Sequence, residues 1–61
     1  MTAHARAPRD ATEIDLEGVW DNDRHIKYVG KATKQPDGTW RCWAIAGGAL
    51  LLVEVIITEA A

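Results

Sequence analysis

The segment Thr39–Thr58, Thr-Trp-Arg-Cys-Trp-Ala-Ile-Ala-Gly-Gly-Ala-Leu-Leu-Leu-Val-Glu-Val-Ile-Ile-Thr, holds two apolar runs hinged at Gly47-Gly48. β-Branched and aromatic side chains suit a pleated surface, and paired glycines supply the positive φ angles of a two-residue hairpin turn. Ala, Leu and Glu would also allow a helix over 44–61. The adjacent glycines and Val53, Val55, Ile56, Ile57 and Thr58 oppose it. The hairpin is apolar on both faces. A chain of 61 residues lacks the material to cover two faces of a sheet, so the sequence predicts a homo-oligomer or a complex with another protein.

Composition narrows the remaining routes to stability. Cys42 is the single cysteine, which excludes an internal disulfide and a cysteine-based metal cluster. A lone thiol suits a reducing cytoplasm; a bridge between two copies across a two-fold axis is the alternative fate for it. The formal net charge of −2 is not the basic balance of a protein held to nucleic acid through its phosphates. Residues 1–10 carry positive charge without the apolar stretch of a secretory signal. The run Trp43–Ile57 is interrupted by two glycines and Glu54, and falls short of the roughly 20 residues of a spanning helix. A soluble, cytoplasmic protein is expected.

Upstream of the hairpin the pattern alternates with period two, the mark of half-buried strands. Ile14, Leu16, Gly18 and Trp20 oppose Asp15, Glu17 and Val19, and Asp21-Asn22-Asp23 then forms a turn. Ile26, Tyr28, Gly30 and Ala32 oppose Lys27, Val29, Lys31 and Thr33. Gln35-Pro36-Asp37-Gly38 predicts a type I turn closed by a glycine bulge. The expected fold is an all-β, four-stranded antiparallel meander with strands at 13–20, 24–34, 39–46 and 49–58. Residues 1–12 are read as a flexible N-terminal tail, and 13–61 as one small β domain completed by oligomerisation.

These turns fix registers. A Gln35/Thr39 closure sets Ala32 opposite Cys42, Lys31 opposite Trp43 and Val29 opposite Ile45. The Gly47-Gly48 turn sets Ala46 opposite Ala49, Ala44 opposite Leu51, Trp43 opposite Leu52, Cys42 opposite Val53, and Arg41 opposite Glu54. That last opposite-charge pair supports the register, since complementary cross-strand partners contribute roughly 0.2–1 kcal/mol. One face then carries a core of Ile14, Leu16, Trp20, Ile26, Tyr28, Ala32, Trp40, Cys42, Ala44, Leu51, Val53, Val55 and Ile57. The other carries Lys27, Val29, Lys31, Thr33, Arg41, Trp43, Ile45, Leu50, Leu52, Glu54 and Ile56.

The second face holds the candidate site. Trp43, Ile45, Leu50, Leu52 and Val29, bordered by Lys31, Arg41 and Glu54, have the make-up of an interface anchor: a tryptophan in an apolar surround with charge at its rim. Coverage of that patch by the N-terminal segment is the competing arrangement, but 1–12 has few large apolar residues. Trp43 beside Lys27, Lys31 and Arg41 also suggests base stacking by single-stranded nucleic acid, although one aromatic makes a poor platform. A third possibility is a small-ligand pocket built from Trp43 or Trp40 at an oligomer interface.

No residue set argues for catalysis or for a cofactor. Asp21, Asp23 and His25 lack the spacing and the terminal glutamate of a calcium loop, and a solvated turn is the simpler assignment, so no metal is expected. Asp15 and Glu17 are read as an acidic edge, not an acid–base pair. Gly47-Gly48 opens a strand and not a helix, so it is no phosphate loop. His4, Arg6 and Arg9 are read as solubilising charges able to meet an acidic partner. A small non-enzymatic interaction or scaffold protein is expected: an inhibitor, adaptor or accessory subunit.

Overall fold

The computed structural model describes residues 4–60. It is all-β, with β1 (Ala5–Ala7), β2 (Glu13–Asp15), β3 (Trp20–Asp21), β4 (Ile26–Lys34), β5 (Trp40–Ala46), β6 (Ala49–Val55) and β7 (Ile57–Glu59). The main sheet is antiparallel in the order β2-β4-β5-β6, with β3 continuing along β4 beyond β2. Both expected hairpin turns form. Gly38 N–H donates to Gln35 O, Gln35 N–H donates to Thr39 O, and Gly38 has φ 90°, the signature of a turn closed by a glycine bulge. Gly47 and Gly48 both take positive φ, and β5 pairs with β6 in the anticipated register along its whole length, Arg41 opposite Glu54 included.

The first expected strand is not continuous, and its interruption rearranges the side chains. Asp15 pairs with Lys31 and Trp20 pairs with Lys27, so four residues on one strand span three on the other. Leu16–Val19 forms this bulge: Val19 N–H closes onto Leu16 O, Leu16 and Gly18 N–H still donate to β4, and Gly18 takes φ 82°. An odd insertion exchanges the two faces of everything beyond it. Trp20, expected in the core, is therefore 51% exposed, and Asp21 is turned inward and buried.

The β4–β5 ladder also shifts, between Val29/Trp43 and Thr33/Arg41. Gly30, Lys31 and Ala32 span the single residue Cys42, so Val29 faces Trp43 and Lys27 faces Ile45. The expected pairs Ala32–Cys42, Lys31–Trp43 and Val29–Ile45 do not form. Gly30 has φ 80° at this irregularity. The offset here is even, so the faces are preserved: Ile26, Tyr28 and Ala32 are all buried as expected.

Part of the segment read as a tail is structured. Ala5–Ala7 pairs in parallel with Ile57–Glu59, and Ala7 joins Leu16, Ile26, Tyr28, Ala32, Trp40, Cys42, Ala44 and Val55 in the core. Ala5, Ala11, Ile14, Val53 and Ile57 pack around them. The chain thus covers its own first face with small N-terminal side chains. Leu51, expected in this core, is 47% exposed near the hairpin tip. Among the described residues, no helix is long and apolar enough to cross a membrane.

Candidate functional site

Antiparallel pairing across three strands builds the second face in rows. Val29, Trp43 and Leu52 form one row, Lys27, Ile45 and Leu50 the next, and Thr33, Arg41 and Glu54 a third beyond the β4 irregularity. Directly opposed side chains stand about 5 Å apart, so the apolar members touch across the strands. Trp43, Ile45, Leu50 and Leu52 are 49%, 45%, 58% and 49% exposed. Val29 is half-buried, while Lys27, Lys31, Arg41 and Glu54 are exposed around the patch. Lys31 lies beside Glu13, Nζ to Oε1 3.4 Å, and away from the Trp43 row. The N-terminal segment lies over the opposite face, with Ala7 in the core, and does not cover these residues.

The same hairpin leaves an edge. Among the described residues, β6 ends the sheet and pairs on one side only, with β5. Residues flanking a two-residue turn exchange both hydrogen bonds, so Ala49, Leu51, Val53 and Val55 bond to β5. The backbones of Leu50, Leu52, Glu54 and Ile56 consequently point outward. Among the described residues, two of these four have a partner. Arg24 Nη1 donates to Glu54 O at 2.6 Å. Ile56 N–H donates to His4 Nδ1 at 3.1 Å, and Ile56 O accepts from His4 N–H at 2.7 Å.

A buried polar cluster, not foreseen from the sequence, lies at the other end of β6. Asp21 Oδ2 accepts from the Tyr28 hydroxyl at 2.9 Å and lies 3.4 Å from His4 Nε2. Its Oδ1 accepts from the backbone N–H of Asp23 and Arg24. Burial pushes the Asp21 carboxyl up, but the Tyr28 bond, the neighbouring His4 ring and the two backbone donors outweigh it and hold the group below the usual carboxylate value. Burial, followed by the Asp21 bond and charge, pushes the Tyr28 hydroxyl up to about 12. At neutral pH Tyr28 is therefore a proton donor to Asp21 and a poor nucleophile. Because Ile56 N–H occupies His4 Nδ1, a neutral His4 ring carries its proton on Nε2, toward Asp21. The cluster clamps the N-terminal segment, the Asp21 turn and the last strand together.

A shallow cavity of about 220 Å³ opens beside this clamp, lined by His4, Val19, Trp20, Asp21, Asn22, Asp23 and Tyr28. Its aromatic wall is Trp20, whose Nε1–H donates to Asn22 Oδ1 and whose ring meets His25 edge-on at 6.3 Å. The aromatic residues expected to make a pocket lie elsewhere: Trp40 is buried in the core and Trp43 stands on the open face. Two sequence signals pointed here, Gly18 inside a strand pattern and the Asp-Asn-Asp turn; Asn22 and Asp23 are exposed as expected, but Asp21 is not.

Among the described residues, no three of His, Cys, Asp and Glu converge to hold a metal ion. Asp15 Oδ1 accepts from Glu17 N–H and shapes the bulge. The Cys42 thiol is 1% exposed, and burial pushes its pKa up, so it is poorly placed to bridge two copies. No known protein family, curated protein or solved structure matches this chain.

Proposed function

We propose that this chain is a small, non-enzymatic cytoplasmic interaction protein that works by self-association through the β5–β6 hairpin. The observation carrying this is the cluster of Trp43, Ile45, Leu50 and Leu52, adjacent in two cross-strand rows and each about half exposed. Contiguous apolar surface of this kind marks interaction sites on small proteins. Its composition also fits: a central tryptophan, aliphatic neighbours, and Lys27, Arg41 and Glu54 at the rim. Removing apolar area from water contributes about 25 cal/mol per Å², so a few hundred Å² of this patch is worth several kcal/mol, a large part of a small domain's stability. A second copy is the occupant that matches this patch in kind, since it brings the same apolar face and the same charged rim.

The test is mass by sedimentation over a concentration series. The wild type should exceed the mass of one chain and grow with concentration, while Trp43→Ala and Leu52→Lys shift it toward monomer. A strict monomer at high concentration overturns the proposal. Single-stranded nucleic acid on Trp43, Lys27 and Arg41 would instead show affinity that falls steeply with salt.

A further inference from the structure

We propose that two copies join edge to edge through β6, antiparallel, in the register that sets Leu51 against Leu51 of the second copy. This deepens the self-association reading above and rests on it.

The register follows from which backbone groups are open. Of the outward-facing residues on β6, Glu54 is engaged by Arg24 and Ile56 by His4. Leu50 and Leu52 point away from β5 at the edge of the sheet. An antiparallel pair centred on Leu51 sets Leu50 opposite the second copy's Leu52, and Leu52 opposite its Leu50. Both are hydrogen-bonded positions, so four backbone bonds form and none of the existing ones breaks. Centring on Leu52 would set Leu50 against Glu54, whose carbonyl Arg24 already holds.

Charge selects the same occupant. The paired segment Ala49-Leu50-Leu51-Leu52-Val53 is uncharged. The opposite edge of the sheet, β2, carries Glu13 and Asp15, and setting these against leucines would be unfavourable. Natural proteins use such charges to close an edge; β6 has none until Glu54. In the Leu51-centred register the two Glu54 side chains lie six residue steps apart, about 20 Å, beyond the roughly 8–10 Å screening length of ordinary buffers.

The two-fold also joins the apolar faces. The row Val29, Trp43, Leu52 continues into Leu50, Ile45 and Lys27 of the second copy. Five paired residues alone bury less than the about 800 Å² per partner of a standard interface. The dimer is therefore reversible, and its population is set by concentration.

Disulfide trapping tests the register. Opposed residues in a non-hydrogen-bonded pair have Cα atoms about 4.5 Å apart, within disulfide range. Leu51→Cys should give a covalent dimer under mild oxidation. Ala49→Cys, whose opposite residue is Val53, should give none, and neither should the wild type with its buried Cys42. A synthetic chain with N-methyl-Leu50, which keeps the side chain and deletes one outward donor, should associate at least tenfold more weakly. Failure of Leu51→Cys to cross-link, or equal cross-linking of Ala49→Cys, overturns the register. If the mass still rises with concentration and falls with Trp43→Ala, self-association through the face survives and edge pairing is refuted. A strict monomer refutes both.

Discussion

The Tyr28 hydroxyl donates to Asp21 Oδ2 at 2.9 Å, tying the first part of β4 to a carboxylate that a one-residue bulge has turned inward. The bond secures a buried charge inside a very small core. Hydrogen bonds to charged groups contribute about 1.5–3 kcal/mol, and a buried acceptor left short of donors is expensive. Tyr28→Phe removes this donor together with the 3.3 Å contact between the hydroxyl and His4 Nδ1. It should lower stability by about 1.5–3 kcal/mol, read as a reduced urea midpoint with unchanged slope. An unaltered midpoint would show that the remaining donors suffice.

The same pair gives stability two pH limbs. The Asp21 pKa is lowered from 3.8 on folding, so its contribution is complete above that value and is lost as pH falls through the folded value. The Tyr28 pKa is raised from 10.0 to about 12, so its contribution is complete below 10 and is lost as pH climbs toward 12. Thermal midpoints measured from pH 2 to 12 should therefore fall at both ends. Asp21→Asn should flatten the acid limb and Tyr28→Phe the alkaline one. Parallel wild-type and variant curves would rule the pair out as the source.

How much of this could be read from the sequence depends on parity. The β5–β6 hairpin follows entirely from alternation and Gly47-Gly48, because no residue is inserted there and register propagates from the turn. The β4–β5 pairing is displaced by an even offset, so pair identities were missed while Ile26, Tyr28 and Ala32 stayed on the core face. The bulge at Leu16–Val19 is odd, and the short strand β3 behind it changed sides: Trp20 came out and Asp21 went in. Gly18 and Gly30 were the available signals, since an isolated glycine in a strand pattern often marks a bulge. Neither says how many residues it inserts. The His4 contacts and the parallel β1–β7 pair join chain ends more than fifty residues apart, and local pattern carries no information about them.

Gly30 tests the even offset. It has φ 80°, and a Cβ there would meet nothing within 4 Å. The cost of Gly30→Ala is therefore conformational, about 1–2 kcal/mol for a left-handed backbone. Gly30→Asn, which tolerates that region better, should recover part of the loss. Equal stability of all three proteins in urea would mean that the irregularity relaxes without cost.

Arg24 offers a test of edge protection in which charge and hydrogen bonding make opposite predictions. Its guanidinium caps Glu54 O, so Arg24→Ala lengthens the open edge of β6 from two outward residues to three. The substitution also makes the net charge more negative, from −2 to −3 (−2 − 1), which by itself strengthens repulsion between copies. If the cap matters, Arg24→Ala should aggregate faster than wild type in light scattering despite that added charge. Loss of one such bond should lower stability by only about 0.5–1.5 kcal/mol, so unfolding alone would not account for the change. Slower aggregation would mean that net charge governs association, and that Arg24 does not guard the edge.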